Sequence, residues 1–242
     1  SDAELPRVEA MMAAIGPASP PPADADLALL TDKLLRWPAD KVLPALDLAR
    51  ACFGNAAVAA KWGQTAMGAY SMAYAQEGGA TQETLAAAQG KDVALKVLLA
   101  ASCAGEVKPP KTAAMMAMRA LGNAFEHEQM RGVLQLHFGT FSACYADTGA
   151  AGDKAVQTAH ATLLLNYAVL LAGRGQALEA AAVVVAGGAV GQTGTSIITK
   201  NSRIRKIRVT PKGELPLPVQ TGLALALPAS FLFSLIQFLA YL

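Results

Sequence analysis

The sequence predicts an all-α fold, an armadillo/HEAT-like helical solenoid. Alanine, the best helix former, recurs throughout, while aromatic residues make up only 6% of the chain and β-branched runs are few. Apolar residues recur at helical spacing in segment after segment. Short polar or glycine-bearing stretches separate these segments at a repeat of roughly 40–45 residues, the signature of stacked helical repeats. Internal sequence identity is weak, so a plain helical bundle stands as the alternative.

Each element has a local reason. Residues 1–14 read as a short helix, and Gly16 to Asp26, with Pro17, Pro20, Pro21 and Pro22, as a linker. Asp26 is a candidate cap for a helix over Leu27–Arg36. Trp37 is expected to pack this first repeat. Pro38 fits a first helical turn and Asp40 suits the helix dipole, with Val42, Leu46 and Ala49 following at helical spacing. Pro44 would kink a helix interior, so this helix either starts near Leu43 or bends there, and it runs to about Phe53. Ala56–Gln76 is the next helix, softened at Gly63 and Gly68 and closed by Gly78-Gly79. Thr81 opens a helix to Ser102 with Gly90 inside, and Lys108-Pro109-Pro110 punctuates. Lys111–Glu126, Glu128–Tyr145 and Asp153–Ala172 are three well-patterned helices.

The 242 residues suffice for one good core or two small ones. Charge is unevenly spread. Residues 1–199 carry 14 Lys/Arg against 17 Asp/Glu, whereas residues 200–242 carry 6 against one. The body is therefore not a general polyanion binder, and an anionic partner must be caught by a local patch. The basic run from Lys200 to Arg208 raises a nucleic-acid reading, which the acidic body disfavours; no nucleic-acid partner is expected. Cys52, Cys103 and Cys144 are far apart and odd in number, and no Cys/His cluster has zinc spacing. Buried reduced thiols in a cytosolic or nuclear compartment are expected, with no metal and no cofactor. Residues 1–15 lack the apolar run of a signal peptide, and the opening at Ser1 suggests a piece of a longer protein. No Gly-x-Ser-x-Gly elbow, phosphate loop or His-Glu-x-x-His is present. Glu126-His127-Glu128 reads as a helix junction, so no catalytic residue is expected.

Three segments together resemble the PUL domain, the armadillo-like C-terminal domain of the phospholipase-activating-protein family of ubiquitin adaptors. They are Val42-Leu43-Pro44-Ala45-Leu46-Asp47-Leu48-Ala49-Arg50, Ala117-Met118-Arg119-Ala120-Leu121-Gly122-Asn123-Ala124-Phe125, and Ala159-His160-Ala161-Thr162-Leu163-Leu164-Leu165-Asn166-Tyr167-Ala168. Their order and spacing also fit, over about residues 27–186. The resemblance implies armadillo repeats with a basic groove that binds the acidic C-terminal tail of the valosin-containing AAA ATPase. It implies a non-catalytic adaptor of the cytoplasm and nucleus, linked to ubiquitin-pathway proteins through upstream modules that this chain does not show.

The chain departs from the family pattern after about Ala186, so the last repeat is expected to be incomplete. The resulting organisation is an N-terminal segment and Pro-rich linker at 1–26, a PUL-like solenoid at 27–190, a basic linker at 191–220 and an apolar tail at 221–242. The tail is long enough to span a membrane, and the preceding basic run suits a cytosolic flank. Pro228, Ser234 and Gln237 argue against a span. A membrane-tethered helical scaffold with another protein partner is thus the alternative.

The expected peptide-binding residues follow from the resemblance and from side-chain chemistry. Arg50 and Arg119 offer guanidinium forks for carboxylates. Asn123, one turn after Arg119, can serve the backbone of an extended ligand. Asn166 and Tyr167 repeat that logic, with His160 two turns earlier. Each has a plainer reading: Arg50 paired with Asp47, Asn123 and Asn166 tying helices together, Tyr167 in the core. His127 and His137 read as surface or packing residues.

Overall fold

The computed structural model describes residues 5–15, 19–102, 109–145 and 153–175. The chain divides into two compact units, residues 1–147 and 148–242. Among the described residues every regular element is helical, and within the first unit the helices stack as a solenoid.

The first unit holds α1 (Leu5–Ala14), α2 (Asp24–Asp32), a 3-10 turn (Leu34–Arg36), α3 (Leu43–Phe53), α4 (Ala56–Tyr74), α5 (Gln82–Gln89), α6 (Val93–Ala100), α7 (Lys111–Ala124), α8 (Glu128–Leu136) and α9 (Phe138–Cys144). Cross-links between distant residues show how they stack. Lys96 of α6 pairs with Asp32 of α2 at 2.9 Å. Asn123, on α7, donates to the Arg50 carbonyl of α3 at 3.0 Å, and His127 reaches the Phe53 carbonyl at 2.7 Å. Gly63 and Met67 of α4 lie against Gln129 and Gly132 of α8. Residue numbers rise together along both α3 with α7 and α4 with α8, so each pair runs parallel. A triplet made of α2 with its 3-10 turn, α3 and α4 is therefore stacked on a triplet made of α6, α7 and α8. This is an armadillo-like arrangement. The separation between matched residues is 64, 73 and 74 positions, not the roughly 40–45 expected from the sequence. The additional helix α5 and the stretch between α6 and α7 account for the excess.

Several helix limits differ from those expected. Pro38 and Asp40 precede the helix, which starts at Leu43 with Pro44 in its first turn, where a missing N–H is harmless. Asp26 does not cap α2; Ala23 holds that position without a side-chain bond, and Asp26 accepts from Arg7 Nε of α1 at 2.8 Å. The helix expected over Leu27–Arg36 ends at Asp32, and the following 3-10 turn buries both Leu34 and Leu35. Trp37 is exposed rather than packed. The following Pro38 disfavours helical geometry at Trp37, whose backbone is extended at φ −62° and ψ 152°. Trp62 takes the core place instead, its ring edge-on to Phe53 at 5.0 Å.

Two long helices are each split. Thr81–Ser102 breaks at Gly90, where Asp92 caps the new helix α6 by accepting from Leu95 N–H at 3.0 Å. Glu128–Tyr145 breaks at His137, whose backbone leaves helical geometry while its ring is held by Asp92. Gly63 and Gly68 do not soften α4, which is continuous. Asn55 starts α4 by accepting from Ala57 and Val58 N–H, and its amide donates to the Ser19 carbonyl at 3.0 Å. Asn55→Ala is expected to lower stability by about 1–2 kcal/mol in urea unfolding, because it removes a cap and this 36-residue link together. A loss under 0.5 kcal/mol would contradict this.

In the second unit α10 spans Lys154–Gly173, capped by Asp153 through Ala155 and Val156 N–H. By length and composition alone it could cross a membrane. Of its apolar window, 44% is buried within the protein. Cys103, residues 176–190, the basic linker at 191–220 and the apolar tail at 221–242 lie outside the described residues.

Candidate functional site

The C-terminal end of α3 is where two of the expected binding residues, Arg50 and Asn123, meet. The last four carbonyls of a helix have no intrahelical partner. Here α7 and the turn after it supply two: the Asn123 amide on the Arg50 carbonyl and the His127 ring on the Phe53 carbonyl. Arg131 does the same for α7, donating through Nε to the Phe125 carbonyl at 2.9 Å. Asn123 is half-buried and its amide donates across the repeat interface, the helix-tying role of its plainer reading.

Arg50 and Arg119 have different surroundings. Arg50 Nε and Nη2 both bond Asp47 Oδ1, at 2.8 and 2.7 Å. Both side chains of this pair are well exposed, at 38% and 52%. An exposed i,i+3 pair is worth about 0.2–0.5 kcal/mol, so a competing carboxylate can displace it. Arg119 stands exposed on α7, one turn before Asn123, with no ion pair among the described residues. The tie from Asn123 to Arg50 thus brings the segments bearing both guanidinium groups together.

The other three expected residues lie on α10 in the second unit. Val156, Ala159, Leu163, Tyr167 and Leu171 form its buried stripe. Tyr167 and His160 fall on that stripe and are buried, which for Tyr167 is the core reading and which keeps both rings away from an open groove surface. Burial holds the His160 imidazole below its ordinary pKa of 6.5, favouring the neutral ring. Asn166 is half-buried.

Other features were not foreseen. Asp92, fully buried, accepts from His137 Nε2 at 2.5 Å while capping α6. The Tyr70 ring lies edge-on to His137 at 6.1 Å, and burial followed by the Asp92 charge raises the Tyr70 phenol pKa. The Gly90-Lys91-Asp92 sequence carried the signal for this capped break, but periodicity across it concealed it. Burial pushes the Cys52 thiol up to about 12, which suppresses its thiolate. Glu126-His127-Glu128 is a helix junction, as expected. Among the described residues no group of three or more His, Cys, Asp or Glu side chains could hold a metal.

The arrangement can therefore present cations to an anionic chain, from a scaffold whose polar side chains are largely engaged in helix ends. Comparison with known proteins found a match to the family model of the PUL domain over residues 1–193. No curated protein and no solved structure matches the chain. The family match begins before and ends after the stretch from which the resemblance was read, and it takes in all ten helices described above. On this evidence the chain belongs to the PUL domain family, whose members serve as protein-interaction adaptors.

Proposed function

We propose that this domain grips the acidic C-terminal tail of the valosin-containing AAA ATPase and so couples that unfoldase to ubiquitin-dependent processing in the cytoplasm and nucleus. The observation that carries this reading is Arg119, exposed and without an ion pair among the described residues. It stands one helical turn from the Asn123 tie that holds α7 to the Arg50 segment. A guanidinium in that state carries no competing partner to displace, and it can accept a carboxylate with two parallel N–H donors. Arg50 adds a second fork once the tail exchanges with Asp47. Family membership supplies the protein-interaction role, and the exposed Arg119 agrees with an acidic ligand.

The test is calorimetric titration of a synthetic ten-residue C-terminal peptide of the ATPase into the full chain. Arg119→Ala with Arg50→Ala is expected to weaken binding at least tenfold, since hydrogen bonds to charged groups contribute about 1.5–3 kcal/mol each. The thermal midpoint should barely move, because both side chains face solvent. Unchanged affinity in the folded double variant, or no binding by the parent chain, would refute the proposal.

A further inference from the structure

Helix α5 lies outside both stacked triplets and is lightly held. Of its eight residues only Ala88 is buried. Ala88 packs on Ala69, Tyr70 and Ala73 of α4, with Leu85 and the preceding Ala80 partly buried beside it. Its start is self-contained, because Thr81 and Thr84 form a capping box with one another. Among the described residues no ion pair or side-chain hydrogen bond ties residues 81–90 to another element. Glycines stand at both ends. Gly78 and Gly79 take positive φ, 92° and 84°, with nothing within 4 Å of where a side chain would begin, and Gly90 closes the helix. Such φ values belong to glycine, so the chain turns there without strain.

What lies beneath α5 works against its closed position. Tyr70 is only 7% exposed, and its hydroxyl is buried without a hydrogen-bond partner among the described residues. The Asp92 carboxylate acts on that phenol electrostatically but is already engaged, Oδ1 by the Leu95 N–H and Oδ2 by the His137 ring. A buried hydroxyl with no partner disfavours the conformation that buries it. Lifting α5 returns that hydroxyl to water and gives up the burial of one alanine and part of one leucine. We infer that α5 is a flap, which lifts between its glycine hinges while both triplets stay folded and so uncovers Tyr70 and the adjoining face of α4. An eight-residue helix does not persist alone in water, so the flap loses its helical hydrogen bonds as it lifts. The inference is independent of the role given to Arg50 and Arg119.

Hydrogen–deuterium exchange of the full chain, read by mass spectrometry after proteolysis, tests this. Corrected for intrinsic rates, the amides of residues 85–89 are expected to exchange about a hundredfold faster than those of α3 and α7, or faster still. Their rates should change little in low urea, because lifting α5 exposes little surface, whereas those of α3 and α7 should rise steeply. Asn55→Ala separates the flap from global opening. It weakens the start of α4, far from α5, so it should speed exchange in α3 and α7 by about five- to thirtyfold and leave residues 85–89 unchanged. Tyr70→Phe removes the unpartnered hydroxyl, favours the closed flap and should slow exchange at residues 85–89 severalfold. Circular dichroism checks that each variant is folded. Exchange at residues 85–89 as slow as in α3 and α7, equal acceleration of all three by Asn55→Ala, or faster exchange at residues 85–89 in folded Tyr70→Phe would overturn the inference.

Discussion

Asp92→Ala is expected to be the most damaging single substitution in the first unit, lowering stability by about 2–4 kcal/mol. The side chain has no exposure and serves two partners, the His137 ring at 2.5 Å and the Leu95 N–H at 3.0 Å. Removing it leaves a buried imidazole donor and an uncapped helix start. Cap loss alone contributes about 1 kcal/mol, so the larger share comes from the stranded histidine. Against a typical total of about 5–15 kcal/mol, the loss would bring a protein at the lower end of that range close to unfolding at ordinary temperature. Asp92→Asn keeps an acceptor for Leu95 and should lose clearly less. Urea unfolding followed by circular dichroism measures both, and a loss below 1 kcal/mol for Asp92→Ala would contradict this account.

Gly63→Ala is the second. A β-carbon at Gly63 would lie 2.5 Å from the Gln129 carbonyl oxygen and 2.6 Å from its carbon. Those atoms are backbone of α8, so the two helices must separate, and neighbouring contacts are lost along the seam. Overpacking of this kind costs about 1–3 kcal/mol and outweighs the gain of about 1 kcal/mol that alanine brings to a helix interior. Gly68, five residues along the same helix, meets nothing within 4 Å. Gly68→Ala should therefore stabilise, by up to about 1 kcal/mol. Opposite signs at two glycines of one helix separate close approach from propensity. Destabilisation at both positions, or at neither, would show that the α4–α8 contact is not what holds Gly63.

The contrast also shows how far the sequence could be read. Helical class, the start near Leu43 and the interval after Gly78-Gly79 followed from local chemistry, since proline, glycine and apolar spacing act within one turn of themselves. Burial and partnership did not. Asn123 reads either as a ligand contact or as a helix tie until the Arg50 carbonyl, 73 positions away, is found to receive it. Trp37 and Trp62 have no composition cue that separates them; the proline after Trp37 and the Phe53 ring beside Trp62 decide which one is exposed. The breaks at Gly90 and His137 are linked by the Asp92–His137 bond, which joins residues 45 positions apart and so leaves no mark on periodicity. The same limit applies to the repeat length, because α5 looks like the continuation of its neighbour until Asp92 caps α6.

Stacking like on like has a consequence for how the first unit comes apart. When each triplet touches only the next, free energy divides into intrinsic and neighbour contributions, and disruption can begin at a terminus and travel inward. Amides of α3 and α7, each covered by helices on several sides, would then exchange with deuterium through global opening. Those of α1 would exchange through fraying. A denaturant series of exchange rates would give graded opening energies along the chain in place of a single cooperative value, and the sequence of release would trace the order of the stack from its margin to its centre.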